Sequence, residues 1–243
     1  MIYFFSSACH LIMVTLNSTS KLQAVLSRIE NAAKKFGRDP AAIALLAISK
    51  TWPASHIRQL ASAGQGAFGE SYLQESLYKI NELRDLSLEW HFIGSLQSNK
   101  TRQIANSFDW VHSLDRLSIA ERLSAQRPPS RPPLSVCLQV NISAEASKSG
   151  VSPAETPGLA HAVAALPGLR LRGLMAIPAA DNDFAAQRLP FCRLRELWQQ
   201  LRADGLMLDT LSMGMSQDLE AAVAEGATLV RVGTAIFGER DRA

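Results

Sequence analysis

Lys50 closes the apolar run Ile43-Ala-Leu-Leu-Ala-Ile-Ser49, and a strand of that character has little structural reason to end on an amine. An ammonium against apolar walls is poorly solvated, its pKa falls, and the free amine can attack an aldehyde. The alternative is a lysine whose stem covers the strand end while its head reaches water. Two later turns could hold the far end of such a ligand. Leu211-Ser-Met-Gly-Met-Ser216 is a small-residue turn running into a helix near Gln217, and Arg231-Val-Gly-Thr-Ala-Ile-Phe-Gly238 is a glycine-bearing turn after a strand. Backbone N–H groups in such turns, and at helix N-termini, point at anions and stabilise them. Either turn alone is a weak signal, since Gly and Ser occur in turns everywhere.

The elements that must position these groups alternate. Ser18 opens a helical pattern carried by Leu22, Val25, Leu26, Ile29 and Ala33 and stopped at Gly37. Strands are predicted at Ile43–Ile48, Ala67–Phe68, Leu88–Ile93, Trp110–His112, Leu134–Val140, Leu169–Met175, Leu208–Leu211 and Thr228–Val232. Helical segments lie between them: after Pro53, then Tyr72–Leu83, Leu96–Ala105, Leu117–Leu123, Pro157–Leu166, Phe184–Ala203 and Gln217–Ala224. Parallel strands need a crossover helix each, so eight such units predict a single α/β domain, a (β/α)8 TIM barrel spanning 18–243. An open doubly wound sheet is the other arrangement, but no Gly-x-Gly-x-x-Gly follows the first strand. The loop Arg127-Pro-Pro-Ser-Arg-Pro-Pro133 has the character of a polyproline ligand, although a stiff connector explains it as well.

In such a barrel the chemistry sits at the carboxyl ends of the strands. Those ends carry Lys50, Glu70-Ser71, His91, Ser113, Asn141, Met175, Ser212 and Arg231-Val-Gly233-Thr234. The loops after the seventh and eighth strands are the usual phosphate seat of this architecture. With a lysine on the first strand, the pattern suggests a phosphorylated aldehyde, pyridoxal 5′-phosphate.

The chain also resembles the YggS/PROSC family, the pyridoxal phosphate homeostasis proteins. The resemblance runs from about Leu22 to Gly238. It rests on Ala47-Ile-Ser-Lys-Thr51, Phe68-Gly-Glu-Ser-Tyr72, Trp90-His-Phe-Ile-Gly94 with Leu96-Gln97 and Asn99-Lys100, Val140-Asn141 with Glu145, Lys148 and Gly150, Gly173-Leu-Met-Ala176, Leu211–Ser216 and Val230–Gly238. It implies an alanine racemase-like barrel (fold type III) with the cofactor held as a Schiff base on Lys50. By the same resemblance Ser212, Gly233 and Thr234 contact the phosphate, Arg231 the pyridine nitrogen and Met175 the cofactor's surroundings, with Ser71, His91, Asn141 and Met213 as further cofactor-binding positions. Ser71 and Ser95 stand where the family usually has Asn and Pro, which makes Ser71, with its shorter reach, the weakest of these assignments.

Binding is the expected activity, in buffering or handing on the cofactor, rather than turnover. An arginine at the pyridine nitrogen offers only donors and weakens the electron sink on which catalysis by this cofactor depends. Alanine racemases add a tyrosine from a further domain, whereas this chain ends at Ala243, soon after the eighth strand, and its tyrosines are Tyr3, Tyr72 and Tyr78. His91 is the remaining acid/base candidate, and a barrel-filling histidine is the competing reading. An amino-acid racemase is the alternative function. The expected partners are the cofactor and apo-enzymes that need it, and a monomer is expected.

Composition excludes other classes. Lys+Arg 25 against Asp+Glu 22 leaves a net charge of +3 over 243 residues, with no basic cluster of the kind that binds nucleic acid. The basic groups Lys34-Lys35 and Lys100-Thr101-Arg102 read as solvated helix faces. No apolar run reaches membrane-spanning length. Three scattered cysteines, Cys9, Cys137 and Cys192, make neither a disulfide framework nor a metal site, so the cytoplasm is the expected compartment. Residues 1–17 are apolar but lack a basic start, so they read as an N-terminal extension, with Met13 as a second possible start, rather than a signal peptide.

Overall fold

The computed structural model describes residues 7–143, 145 and 148–239, with side chains from residue 18 onward. Tyr3 and the start of the N-terminal extension lie outside them. The helix expected from Ser18 extends back to Ser7, giving α1 (Ser7–Lys35). Its apolar face, including Leu22, Val25, Ile29 and Ala33, is buried, and Gly37 ends it in the left-handed conformation at φ 65.

From there strand and helix alternate: β1 (Ala44–Ile48), α2 (Ala54–Ser62), β2 (Ala67–Glu70), α3 (Leu73–Glu82), β3 (Glu89–Phe92), α4 (Thr101–Ser107), β4 (Trp110–Leu114), α5 (Leu117–Gln126), β5 (Leu134–Gln139), α6 (Thr156–Ala164), β6 (Leu169–Met175), α7 (Phe184–Ala203), β7 (Thr210–Ser212), α8 (Leu219–Ala224), β8 (Leu229–Val232) and the short α9 (Thr234–Phe237). The eight strands pair in chain order, and β1 closes on β8 through Ala44↔Leu229 to Ala47↔Val232, all parallel. This is the predicted (β/α)8 barrel. The fourth helix is shorter than the sequence suggests because a 3-10 turn, Ser98–Lys100, precedes it, and α9 was not foreseen behind its glycine turn.

Alternation along each strand divides the side chains into two sets. One set packs outward into the layer between barrel and helices, where Phe68, Phe92, Phe108, Val111, Val136, Phe191 and Leu211 belong to the main core. The other forms two small interior clusters, Leu46 with Ile48 and Leu229, and Trp110 with Cys137 and Met175. Burial pushes the Cys137 thiol up to about 12, so it packs as a small apolar group. The Pro-rich connector is tied down by Arg127, which donates to the carbonyls of Ala105, Phe108 and Pro132. That is a structural use, in line with the connector reading.

Candidate functional site

A cavity of about 520 Å³ opens at the carboxyl ends of the strands. Lys50, Ser71, Met175, Arg231, Gly233 and Thr234 all line it, so six positions scattered from the first strand to the last converge on one space. Its size suits a small cofactor.

The amine is delivered by an unusual turn. Lys50 follows β1 directly, and the next residue, Thr51, has φ 70, the one non-glycine positive φ among the described residues. A β-branched residue in that region is strained by roughly 1–3 kcal/mol and persists only where its surroundings hold it.

Across the cavity Arg231 is buried within the barrel. It donates from Nη1 to Ser212 O at 2.6 Å and Ser212 Oγ at 2.7 Å, and from Nη2 to Ala176 O at 2.8 Å. A guanidinium has five N–H donors, so some remain for an acceptor in the cavity. Burial pushes its pKa down to about 10, with nearby Asp218 opposing the shift, and the group stays cationic at neutral pH. Among the described residues it makes no ion pair, so it creates a positive potential that favours an anion. Beside it, Ile236 and Phe237 N–H both bond to Gly233 O. The N–H groups opening that turn have no intrahelical acceptor and suit a phosphate. The preceding turn is shaped by Gly214, at φ 92, where a Cβ would lie 2.5 Å from Ala222 Cβ. It is held from outside by Arg28, which pairs with Glu220 and donates to Ser216 O.

Four expected positions fall elsewhere. Ser212 lies behind the cavity wall, bonded to Arg231 and to His112. Met213, the next residue, is turned by strand alternation into the outer core and is fully buried there, which corrects its assignment to the cavity. Asn141 faces a neighbouring cavity of about 500 Å³ that also holds Arg116 and Lys148. Its side chain is used to fold its own loop, through the carbonyls of Glu145 and Lys148. His91 lies deeper than the mouth and points down the barrel, so it is not the acid/base group near the opening that its strand position suggested. Tyr72 and Tyr78 are exposed.

His91 instead belongs to a chain of hydrogen bonds through the barrel interior. His91 Nε2 meets Glu89 Oε1 at 2.6 Å, His91 Nδ1 meets His112 Nε2 at 2.8 Å, and His112 Nδ1 meets Ser212 Oγ at 2.8 Å. The ends decide the direction. Arg231 can only donate, and Glu89, its carboxyl held low first by the bond from His91, can only accept. Burial lowers the pKa of both histidines, that of His112 strongly, so both are neutral. Each ring then carries its proton on Nε2, Ser212 donates to His112, and every bond runs from Arg231 towards Glu89. His112 closes the predicted fourth strand but was not among the expected site residues; its i, i+2 spacing from Trp110, which puts both on one face of that strand, was the available signal. The loop after the sixth strand, with Ile177 and Asp181, was also missed as part of the cavity wall.

The chain matches the family described as alanine racemase, N-terminal domain, over residues 20–241. It is 63% identical over 217 residues to a pyridoxal phosphate homeostasis protein of Pseudomonas aeruginosa, covering 89% of this chain and 93% of that one. Among solved structures it is similar to PipY of Synechococcus elongatus with pyridoxal phosphate bound, with TM-score 0.76 and 38% identity over 86% of this chain and 99% of that one. An alanine racemase of Corynebacterium glutamicum, at 19% identity and TM-score 0.64 over 90% of this chain and 62% of the racemase, shares the fold.

Proposed function

The chain belongs to the alanine racemase N-terminal-domain family, and within it to the pyridoxal phosphate homeostasis proteins; from that premise we propose that it binds pyridoxal 5′-phosphate in the Lys50 cavity and serves to buffer and hand on that cofactor. The observation that carries the reading is the convergence of Lys50, Arg231, Gly233 and Thr234 on one cavity. The donor set fits the group: an amine for the aldehyde, N–H groups and a buried cation for the phosphate and the ring acceptor.

When bound, the cofactor supplies an aldehyde able to join covalently to Lys50 Nζ and a ring that can withdraw electrons. The protein's own groups decide how far that chemistry goes. Arg231 presents N–H donors and accepts no proton, so it favours an unprotonated pyridine nitrogen and a weak electron sink. Both interior histidines are neutral and committed to their chain. These features favour retention and release over turnover. Cytoplasmic residence and service to apo-enzymes as a monomer complete the proposal. Among the described residues no helix is long and apolar enough to cross a membrane.

Borohydride reduction of the loaded protein, followed by peptide mapping, tests the attachment. The adduct is expected on the peptide containing Lys50 and is lost in Lys50→Ala; a trapped adduct at the same peptide in that variant overturns the assignment. Incubation with L- and D-alanine in deuterated water tests the absence of turnover. Multiple α-proton exchanges per protein, dependent on Lys50, would establish a racemase instead.

A further inference from the structure

Outside the barrel wall, between β1, β2 and α3, lies a second charged cluster that makes no contact with the cavity. Lys79, on α3, is 3% exposed at its side chain, and Glu70, at the end of β2, is fully buried. Lys79 Nζ donates to Glu70 Oε1 at 2.7 Å, to Glu75 Oε1 at 2.5 Å and to Ser49 O at 2.8 Å. Ser49 Oγ donates to the same Glu70 oxygen at 2.7 Å. The remaining contact closes the arrangement: Thr51 N–H donates to Glu75 Oε1 at 2.6 Å. The cluster therefore grips the carbonyl before Lys50 and the amide after it. Thr51 is also where the backbone takes its positive φ.

We propose that Glu75 and Lys79 are positioning residues for Lys50: by holding Ser49 O and Thr51 N–H they keep Thr51 left-handed and so direct the Lys50 amine into the cavity. This rests on Lys50 being the attachment point argued above. Without the grip Thr51 relaxes to a negative φ and the turn rotates, carrying the amine away from Arg231 and Gly233. The helix spacing is part of the device. Glu75 and Lys79 are one turn apart on α3, so the ammonium that orders Ser49 also orders the carboxylate that orders Thr51.

Because Lys79 balances buried Glu70, its removal threatens folding, and the test uses Glu75, whose side chain is 30% exposed. Four full-length proteins are compared: the parent, Glu75→Gln, Glu75→Ala, and Glu75→Ala combined with Thr51→Gly. Hydrogen exchange at the Thr51 amide is read without cofactor. Affinity for added pyridoxal 5′-phosphate is read from the borohydride-trapped Lys50 adduct, well below the melting temperature. Glu75→Ala is expected to speed Thr51 exchange and weaken affinity by about tenfold or more, as for a lost hydrogen bond to a charged group. Glu75→Gln keeps an acceptor and most of the affinity. Thr51→Gly recovers most of the loss in the Glu75→Ala background, since glycine adopts a positive φ without steric cost. A cluster that only stabilises the fold would lower the melting temperature and leave affinity unchanged at Glu75→Ala, and that result overturns the proposal. So does failure of glycine to rescue. If the parent itself forms no adduct at Lys50, both this inference and the proposed function fall; if the parent does and the variants match it, this inference alone falls.

Discussion

Two buried polar networks serve the same cavity, one from outside the barrel wall and one from within it, and they are built on opposite electrostatic plans. Outside the wall, Lys79 sits between two carboxylates, Glu70 and Glu75, and the product is a backbone shape, the turn that carries Lys50. Inside the barrel, Arg231 makes no ion pair among the described residues, Asp218 acting on it only from a distance; carbonyls, a hydroxyl and two neutral histidines lead away from it. The product there is an unspent positive charge facing a ligand space. A compensated network positions, whereas an uncompensated one attracts. Each would fail in the other's place, because a balanced ion pair offers an anion little and a lone cation cannot hold a strained turn.

The largest effect that would break this contrast is on folding. Lys79→Met leaves Glu70 buried without its counter-charge, and its Oε2 already lacks a hydrogen-bond partner. Urea unfolding is expected to show a loss of about 3–5 kcal/mol; a loss below ~1 kcal/mol would mean that Glu70 is not held as a carboxylate by Lys79. Arg231→Leu should do the reverse. Cofactor retention in equilibrium dialysis falls about 10- to 100-fold, in keeping with losing hydrogen bonds from a charged group, while unfolding free energy falls less than for Lys79→Met. Equal loss of stability in the two variants would erase the distinction between the networks.

The neutral histidines give a pH signature. Their pKa values are lower in the folded protein than the ~6.5 of the unfolded chain, so between those values the unfolded state binds more protons and stability falls as pH falls. Full stability is present above about pH 6.5, and a decline of roughly 1–3 kcal/mol is expected between pH 7 and 5.5. Carboxylates held low by cationic partners, such as Asp209 beside Arg172, add their losses only in stronger acid, below the ~4 at which unfolded carboxylates titrate. In His112→Gln the urea midpoint should depend less steeply on pH over that window; an unchanged slope would place the titrating groups elsewhere. The smallest effect is at the rim. Arg28→Ala removes a half-exposed pair with Glu220 and one bond to Ser216 O, and solvent screening limits its cost to under about 1 kcal/mol. Its diagnostic readout is faster cofactor release from a loosened turn after β7.

Much of this was legible in the sequence, for identifiable reasons. Buried parallel strands are continuous aliphatic runs, so Ile43–Ile48 and Leu169–Met175 stood out, and helix α7 was bounded at both ends by its periodicity. Lys50, Arg231, Gly233 and Thr234 were visible because a polar or glycine residue after such a run has few structural explanations. The misses share a cause: they concern direction rather than position. Met213 follows Ser212 and therefore faces the other side of the wall, which a list of strand ends does not record. His91 was placed on the right strand, but its ring is spent inside the barrel, on Glu89 towards the amino ends of the strands and on His112 of the neighbouring β4. Glu75 and Lys79 carried no signal at all, since nothing in one dimension shows that Glu70 and Ser49 lie behind an i, i+4 pair on α3.

Whether Lys50 and Arg231 meet one ligand is measured directly by a crystal structure of the protein loaded with pyridoxal 5′-phosphate. The expected result is the cofactor joined to Lys50 Nζ, its ring nitrogen within hydrogen-bond distance of Arg231 and its phosphate on the N–H groups at Gly233 and Thr234. A cofactor found in the neighbouring cavity beside Asn141 and Lys148, with Lys50 unmodified, would contradict it.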